Sequence, residues 1–427
     1  MSRPVPARRA AAVLAAVWLA VGFGAVSAAA GGFDFPHQSA RAMGMGDAAT
    51  AQAVDPTVLY YNAGGLALVE EKKVAAGVTA FRLNQSLYQG LPPAPGAGTT
   101  GEQEDVGFLA PHLFAAKKLG DRLVLGLGAF SPFALETTWA DPDEFAGRFV
   151  SLESEITTYD ANPTISWRAT PKLGIGAGAV YRSASFEHSR RYQISLDDQF
   201  FDAATLDFDT SYDDGFGWNA GILHRGARVS WGIAYRSAIE IDFDGEGRLT
   251  QIPTGNSQLD DLVEATLPIG QDLSVLSSLE FPDSLAVGLA FALGKASVVE
   301  IDAARTGWSS FQELPLVFPG NPILSASIPQ DFDDSNSYRL GFAHARDSGW
   351  EWRLGASWDE TPQPDPTVGP FLPDADRLGL SLGVGRDWLD LALLYQQLDE
   401  RTVTDSVSDL NGRWRTSVWL ASMTVSH

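Results

Sequence analysis

The 427-residue chain contains no cysteine, which excludes disulfide bonds, thiolate metal sites and a lipidated N-terminal cysteine. Beyond residue 30 it lacks any run of about 18 consecutive apolar residues, so no transmembrane helix is predicted there. Basic residues are also scarce: 30 Lys and Arg stand against 53 Asp and Glu, and the net charge of −23 argues against a nucleic-acid partner. These absences leave two or three globular domains or one large β-barrel, whose alternating residues average out in hydropathy.

The first 30 residues have the pattern of an export signal. Arg3, Arg8 and Arg9 precede an apolar run over residues 10–26, and small residues follow at 27–30. A single N-terminal membrane anchor is the alternative, but the apolar run is short for a helix that must cross a bilayer with about 20 residues. We expect cleavage near residues 28–31 and localisation in the outer membrane of a Gram-negative bacterium.

Strict alternation of apolar residues follows along much of the remaining chain. Because residues i and i+2 lie on one side of a strand, each alternating set forms an apolar stripe, and several stripes end in Trp or Tyr. The clearest sets are Leu123, Leu125, Leu127 and Ala129; Ile175, Ala177, Ala179 and Tyr181; Val229, Trp231, Ile233 and Tyr235; and Leu389, Leu391, Leu393 and Tyr395. Aromatic residues at stripe ends are typical of membrane interfaces.

Short and long connections alternate between these strands. Six short polar turns are predicted at 118–121, 170–172, 224–227, 293–295, 346–349 and 385–387. Seven long loops are predicted around 85–105, 131–151, 188–210, 245–275, 307–333, 359–375 and 399–412. The fold class is therefore all-β, a transmembrane antiparallel β-barrel of about 14 strands. A soluble β-sandwich or propeller is the structural alternative.

The stretch from residue 31 to 68 is rich in Gly and Ala, low in charge and without steady periodicity. Because its side chains are small, the backbone of this stretch can approach its surroundings closely, so the stretch can pack inside another structure. We expect three regions: a signal peptide at 1–30, a plug (hatch) inside the barrel lumen at 31–70, and the barrel at 71–427.

A series of short motifs runs along the chain: Gly32-Phe33, residues 39–46, Asp55, residues 62–66, residues 131–139 with Gly147-Arg148, residues 280–284, residues 308–311, and residues 359–365 with 372–377. These motifs resemble those of the FadL/TodX (OMPP1) family of outer-membrane transporters for long-chain fatty acids and other hydrophobic compounds. Ala63 stands where the family has Pro. Together these segments cover nearly the whole mature chain.

The resemblance implies passive uptake of hydrophobic molecules, most specifically long-chain fatty acids, with uncharged hydrocarbons as the alternative. It implies a pocket for the ligand headgroup at Ser131 and His188, with Arg190 and Arg191 nearby. Gln330, which is uncharged, falls close to a second basic position of the family. A gating kink and plug are implied at Phe33, Asn62, Ala63 and Gly64. The implied surface capture groove comprises Ile194, Leu196, Phe200, Phe201, Leu259, Leu262 and Val263.

Other function classes have weaker support. A general porin requires an open lumen, and a barrel lipase requires Ser and His to meet on the outer wall. No His-Glu-x-x-His motif is present and the His residues are scattered, so we expect no enzyme activity, no cofactor and no metal site. The expected partners are the hydrophobic ligand, outer-membrane lipid and lipopolysaccharide, and the barrel-assembly machinery, which meets His427 where an aromatic terminus is usual. We expect a monomer.

Overall fold

The computed structural model describes residues 31–196 and 199–427, so the predicted signal peptide lies outside the described residues. Helices are few and short: α1 (Ala40–Met43), α2 (Val58–Tyr61) and α3 (Ser257–Thr266). Single 3₁₀ turns cover Ala63–Leu68, Ala146–Phe149, Trp308–Ser310, Pro322–Leu324 and Asp365–Thr367. No helix among the described residues is both long enough and apolar enough to cross a bilayer.

Strands make up most of the described chain. In order they are β1 (Val74–Gly90), β2 (Thr100–Glu102), β3 (Leu109–Leu119), β4 (Leu123–Phe130), β5 (Ala134–Thr138), β6 (Glu153–Thr170), β7 (Leu173–Leu196), β8 (Gln199–Thr210), β9 (Asp213–His224), β10 (Val229–Arg236), β11 (Ile239–Gln251), β12 (Asp272–Phe281), β13 (Ser284–Leu293), β14 (Ser297–Thr306), β15 (Glu313–Leu316), β16 (Ala326–Pro329), β17 (Ser335–Ala345), β18 (Trp350–Asp359), β19 (Arg377–Arg386), β20 (Leu389–Leu398), β21 (Arg401–Val403) and β22 (Gly412–Ser426).

Fourteen of these strands form a closed antiparallel wall, as the alternation predicted. Their spatial order is β1, β3, β4, β6, β7, β9, β10, β13, β14, β17, β18, β19, β20 and β22. The last strand pairs back onto the first, from Ala75↔Ser426 to Gly90↔Gly412. All six predicted short turns join neighbouring wall strands. Closure leaves no free sheet edge along most of the wall.

The long connections are more regular than the sequence indicated. Residues 188–210, predicted as a loop, continue β7 to Leu196 and return as β8, and β8 pairs with β11 in the next connection. The loop prediction failed here because the apolar stripe stops: Ser183, Ser185 and Glu187 follow Tyr181 on the same face. A strand outside the lipid needs no apolar outer face, so loss of alternation marked the membrane boundary and not the strand end.

The wall has an exposed apolar face bordered by aromatic residues at both ends. In β18, Trp350 lies at the short-turn end and Trp358 at the long-connection end, and both are exposed. Eight residues in a strand tilted by about 40° separate two levels by roughly 20 Å. Other exposed aromatic side chains at these two levels are Trp167, Trp231, Trp352 and Trp388, and Tyr181, Phe216, Trp218, Tyr338 and Trp419. This is the apolar band and aromatic girdle of a lipid-facing barrel.

The other face of the wall encloses the N-terminal segment, residues 31–69. The segment touches β7, β9, β10, β17, β18 and β19, which lie on different sides of the barrel. Two contacts bring backbone directly against backbone: a Cβ on Gly174 would lie 2.1 Å from the Gly64 carbonyl oxygen, and one on Gly355 would lie 2.0 Å from the Gly46 nitrogen. Glycine at these wall positions therefore makes room for the segment.

Candidate functional site

The wall is interrupted where β4 ends. After Phe130 the chain leaves the wall over residues 131–133 and resumes as β5, while β6 pairs with both strands. The freed edge pairs with the N-terminal segment: the Phe35 amide donates to the Pro132 carbonyl (2.7 Å) and the Ala134 amide to the Phe33 carbonyl (3.0 Å). Asp34 and Phe133 form the bridge between them. A wall strand thus bends inward to bind the segment.

The bend leaves a gap in the wall, which we call the lateral window. Below it, β3 pairs with β4 from Leu113↔Ala129 to Leu119↔Leu123. Above it, a bridge joins Gln103 to Trp139. Between these levels no described strand of the wall pairs with β3 on the β4 side. Apolar residues lie at this level, packed in one cluster that includes Phe35, Phe81, Leu83, Phe108 and Ala110.

Phe33 occupies an aromatic pocket beside the window. Its side chain is fully buried, and its ring is surrounded by edge-on neighbours. The ring centroids lie 4.7 Å from Trp308, 5.6 Å from Phe311, 6.0 Å from Phe133 and 6.1 Å from Phe281. Each such pair contributes about 0.5–1.5 kcal/mol beyond the burial itself. The first residues of the segment therefore fill a site whose surface suits an apolar ligand equally well.

A buried arginine forms one side of this pocket. The Arg182 guanidinium lies 4.6 Å from the ring centroid of Phe133 and 4.8 Å from that of Phe281. It donates two hydrogen bonds to Asp160, from Nε at 2.8 Å and Nη2 at 2.9 Å. A second arginine, Arg236, lies 4.0 Å from the same carboxylate. Two cations share one anion here, which leaves residual positive charge beside an apolar surface.

Arg182 is not among the site residues predicted from the sequence, although the alternation along its strand predicts that its side chain faces the lumen. Tyr181 belongs to the lipid-facing stripe, so its neighbour Arg182 had to point into the lumen. An arginine inside the barrel is costly unless paired, and such residues are candidates for function. The signal was therefore present in the alternation itself.

The structure separates two residues that the family resemblance placed in one pocket. Ser131 lies in the bend, at the level of the Asp160↔Arg182 pair, and its carbonyl accepts from Gln38 Nε2 at 2.6 Å. His188 is paired with Ser154, which precedes Asp160 by six residues in β6. At about 3.4 Å per residue the two levels differ by roughly 20 Å. A single headgroup therefore contacts one level or the other.

His188 lies in the part of β7 beyond the outer aromatic girdle. Its Nδ1 is 2.9 Å from the Ser154 hydroxyl, and its buried Nε2 has no hydrogen-bond partner among the described residues. Burial, reinforced by the neighbouring Arg190, lowers the pKa of His188 to about 3. The imidazole is therefore neutral at ordinary pH. With Phe208 and Phe371 within about ring-contact distance, at 5.7 and 6.2 Å, it offers a polar atom in an apolar wall.

The two nearby arginines differ in their partners. Arg191 is fixed by Thr205 (2.7 Å) and by an ion pair with Asp143 (2.6 Å). The Nε atoms of both lack a hydrogen-bond partner, but Arg190, which is half-buried, forms no ion pair among the described residues. Arg190 is thus the less committed of the two cations near His188.

The predicted capture residues lie in the region above the outer aromatic girdle and divide into two sets. On α3, Leu259 and Val263 are one helical turn apart and 1% exposed, and they face the core; Leu262 is 50% exposed. Phe200, at the tip of the β7–β8 hairpin, is 70% exposed, whereas Ile194 is partly buried against the core cluster and Phe201 is half-buried. The side chain of Leu196 lies outside the described part of the structure. Among the described side chains of this set, Phe200 and Leu262 are the two that are exposed to solvent.

Asn62 connects the second half of the segment to the wall. Its backbone is extended between α2 and the 3₁₀ turn Ala63–Leu68, and its side chain accepts from the Gly64 amide at 3.1 Å. The side-chain Nδ2 of Asn62 donates to the carbonyls of Thr50 (2.9 Å) and Ile222 (3.1 Å). Ala63 and Gly64 lie against Gly176 and Gly174 of the wall. One extended residue, Asn62, therefore separates the two helical segments, and Ala63 begins the second.

Carboxylates of the wall hold the segment at two further places. Asp302 accepts from the amides of Ala49 and Thr50, both at 2.9 Å, and Glu300 accepts from the Ala51 amide at 2.6 Å. Near the other end, Asp374 accepts from the Gly32 amide at 3.0 Å. A hydrogen bond of this kind contributes about 0.5–1.5 kcal/mol net. These contacts add to the other hydrogen bonds that attach the segment to the barrel, such as those from Ala40 to Thr424 and from Gly46 to Ser381.

Comparison with known proteins gives one family for the whole fold. Residues 21–427 match the family described as outer membrane protein transport protein (OMPP1/FadL/TodX). The chain is similar to the long-chain fatty acid transport protein of Escherichia coli O6:H1, with 27% identity over 295 residues, 64% of this chain and 65% of that protein. It is 25% identical to the protein of the same description from E. coli K12, over 64% of this chain and 66% of that one. The matched region therefore spans about two thirds of these relatives.

Solved structures show the same architecture at lower identity. A Pseudomonas aeruginosa FadL homologue superposes with a TM-score of 0.78 at 21% identity, covering 93% of this chain and 99% of that one. The Pseudomonas putida toluene transporter TodX superposes with a TM-score of 0.69 at 16% identity, again covering 93% and 99%. At these identities the likeness establishes the fold.

Proposed function

Because the chain belongs to the OMPP1/FadL/TodX family of outer membrane transport proteins, we propose that it carries hydrophobic molecules inward across the outer membrane, with long-chain fatty acids as its main ligands. In this proposal residues 31–70 are the plug and residues 71–427 the barrel. The lateral window carries the proposal, because it joins the lumenal pocket to the lipid-facing side without crossing a paired strand.

The route has three stages. Phe200 and Leu262 first capture the ligand on the long-connection side. The ligand then takes the place of Phe33 in the aromatic pocket, and that displacement disturbs the bridge between Asp34 and Phe133. The window finally releases the ligand sideways into the bilayer. Ligand binding shifts the segment only to the extent that the ligand binds its two positions with different affinity.

The tail and the headgroup of a fatty acid contribute unequally to the binding free energy. Burial of a fifteen-methylene tail contributes up to roughly 12 kcal/mol, at ~0.8 kcal/mol per CH₂. A carboxylate near a cation contributes about 4 kcal/mol before desolvation is subtracted. The tail therefore sets affinity, while the residual positive charge of Arg182 and Arg236 favours an anionic ligand over a neutral one.

Uncharged hydrocarbons are the second candidate. Asp160 already accepts two hydrogen bonds from Arg182, and Gln330 and the neutral His188 add no cation. On this view the charged pair belongs to the wall, and the ligand meets only aromatic surface.

Binding of radiolabelled oleate and toluene to the detergent-purified protein separates the two candidates. The variant Arg236→Gln removes the surplus cation and keeps the ion pair between Arg182 and Asp160 intact, so that no buried charge is left unpaired. If fatty acids are the ligands, oleate affinity falls about tenfold while toluene affinity is unchanged. Tight toluene binding with weak oleate binding in the unmodified protein would instead assign it to hydrocarbons. A protein that binds neither and passes small polar solutes freely would be a porin.

A further inference from the structure

The lysines of this chain are confined to one end of the barrel. The sequence contains six, and all lie at or beside the short turns: Lys72, Lys73, Lys117, Lys118, Lys172 and Lys295. The chain as a whole carries a net charge of −23. The lysines therefore place positive charge at one end of a barrel that is otherwise acidic. Short turns mark the periplasmic end of an outer-membrane barrel.

Four of the six lysines line a single cavity of about 310 Å³. Lys72 and Lys73 precede β1, and Lys117 and Lys118 end β3. The floor is apolar, formed by Leu66, Val69, Ala116 and Val124, and Glu70 lies at its edge. We call this site the lysine cavity. An apolar floor below several ammonium groups suits the anionic end of an amphiphile.

The strand register brings two of these lysines face to face. Val74 is paired with Ala115, and the Ala116 amide donates to the Lys73 carbonyl at 2.7 Å. Continuing that register places Lys72 directly opposite Lys117. Like charges at opposed positions of neighbouring strands destabilise the pair. An anion bound between them removes that repulsion.

No described carboxylate forms a close ion pair with a lysine of the cavity, although Lys72 also interacts electrostatically with Glu351 of β18. Every ion pair among the described residues uses an arginine or a histidine, and none uses a lysine. Lys118 donates to the backbone carbonyl of Glu70 at 3.1 Å, while the Glu70 carboxylate pairs with Arg225 at 3.4 Å. The other acidic neighbour, Glu71, is exposed. The positive charge of the cavity therefore remains available to a ligand.

The surroundings of Lys117 indicate what that ligand is. Lys117 lies on the lipid-facing side of β3, two residues before Leu119 and directly opposite Leu125, both of which are exposed. Trp167 marks the same level two strands away. A lysine at the edge of the apolar band extends its aliphatic stem along the hydrocarbon and places its ammonium among the lipid headgroups.

We propose that the lysine cavity binds the headgroup of an anionic phospholipid from the periplasmic leaflet. The phosphate lies between Lys72 and Lys117, with Lys73 and Lys118 on the lumenal side, and the acyl chains follow the exposed leucines of β3 and β4. An acidic periplasmic protein is disfavoured because the cavity opens beside the lipid-facing surface. A carboxylate of a transported ligand shares the required chemistry, so the experiment includes it as a separate arm.

Native mass spectrometry of the full-length protein in detergent tests this site. Phosphatidylglycerol and phosphatidylethanolamine are added separately, and bound lipid is counted for the unmodified protein and two variants. The test variant is Lys72→Gln with Lys117→Gln. The matched control, Lys172→Gln with Lys295→Gln, removes the same charge from two other short turns. Resistance of the folded barrel to SDS at room temperature shows that each variant has folded.

We expect the unmodified protein and the control to prefer phosphatidylglycerol, and the test variant to lose affinity for it about tenfold or more. Equal binding of the two lipids by the unmodified protein, or full retention of phosphatidylglycerol by the test variant, overturns the proposal. So does displacement of phosphatidylglycerol by oleate with the same lysine dependence, because the site then serves the transported ligand. Lipid binding is measured without fatty acid, so the failure of fatty-acid uptake leaves this result intact.

Discussion

Asp34 and Phe133 are partners in an isolated antiparallel bridge, by which the N-terminal segment takes the strand position that β3 leaves vacant. Two amide hydrogen bonds flank the bridge, from Phe35 to Pro132 and from Ala134 to Phe33. The segment and the interrupted wall strand therefore depend on each other for their backbone hydrogen bonds, and movement of one frees the other.

A disulfide across this bridge should block transport. In the variant Asp34→Cys with Phe133→Cys, the paired positions are close enough for a bond after small adjustment, and the absence of native cysteine excludes other pairings. We expect uptake of labelled oleate into whole cells to fall to background when oxidised and to return on reduction. Each single-cysteine variant controls for loss of the native side chain. Uptake that continues in the fully cross-linked protein would show that the segment need not leave the wall.

Removing the wall carboxylates that hold residues 49–51 should loosen the segment. We expect Glu300→Ala with Asp302→Ala to raise the conductance of single channels in planar bilayers, because three backbone amides of the segment lose their acceptors together. Asp387→Ala, in an exposed turn, is the control and should leave conductance unchanged. Unaltered conductance of the double variant, with the barrel folded, would mean that the backbone contacts of the segment suffice to keep the lumen closed.

Exposed and buried apolar residues of the long connections should respond differently to substitution. Phe200→Ser with Leu262→Ser removes the exposed pair, and we expect initial oleate uptake at low concentration to fall about tenfold as capture weakens. Leu259→Ser with Val263→Ser, on the buried face of α3, should instead make the connection sensitive to limited proteolysis. Unchanged uptake in the first variant would remove Phe200 and Leu262 from the capture step.

His188 should act as a neutral group. Its pKa is lowered to about 3 by burial, so the imidazole stays uncharged from neutral pH down to well below its usual pKa of 6.5. We expect His188→Ala to weaken oleate binding more than toluene binding, and His188→Gln to follow the pH profile of the unmodified protein between pH 5 and 8. Oleate binding that strengthens below pH 6.5 in the unmodified protein alone would show that the imidazole binds as a cation.

The same shift makes a prediction for stability. Because the folded-state pKa lies below the unfolded-state value, the folded barrel resists protonation of His188 and loses stability as pH falls below about 6.5. Unfolding in denaturant should show a smaller loss between pH 7 and 5 for His188→Gln than for the unmodified protein. Parallel losses in the two proteins would mean that other groups dominate the acid response.

The sequence predicted the barrel well because lipid imposes a rule on every second residue. Leu123, Leu125 and Leu127 could be assigned to one face from spacing alone, and the six short turns followed from the residues between such stripes. The β7–β8 hairpin escaped prediction because no lipid contacts it and the rule lapses beyond Tyr181.

Residues of the site were harder to predict because their position depends on pairing partners. The lateral window exists because β3 and β5 fail to meet, and nothing in either strand's own pattern states which neighbour it lacks. The family resemblance placed Ser131 and His188 in one pocket, but their roughly 20 Å separation appears only when β6 aligns the two. The role of each in ligand binding stays a prediction.

The contact between Gly64 and Gly174 determines how the N-terminal segment can move. At one end of the segment, backbone packs directly against the backbone of the wall. At the other end, the ring of Phe33 packs among aromatic side chains. A hydrocarbon tail can replace an aromatic ring, but it cannot replace a peptide group. We therefore expect the segment to pivot about residues 62–68, with Phe33 at the end that moves. Transport through the barrel then does not require the N-terminal segment to leave the lumen.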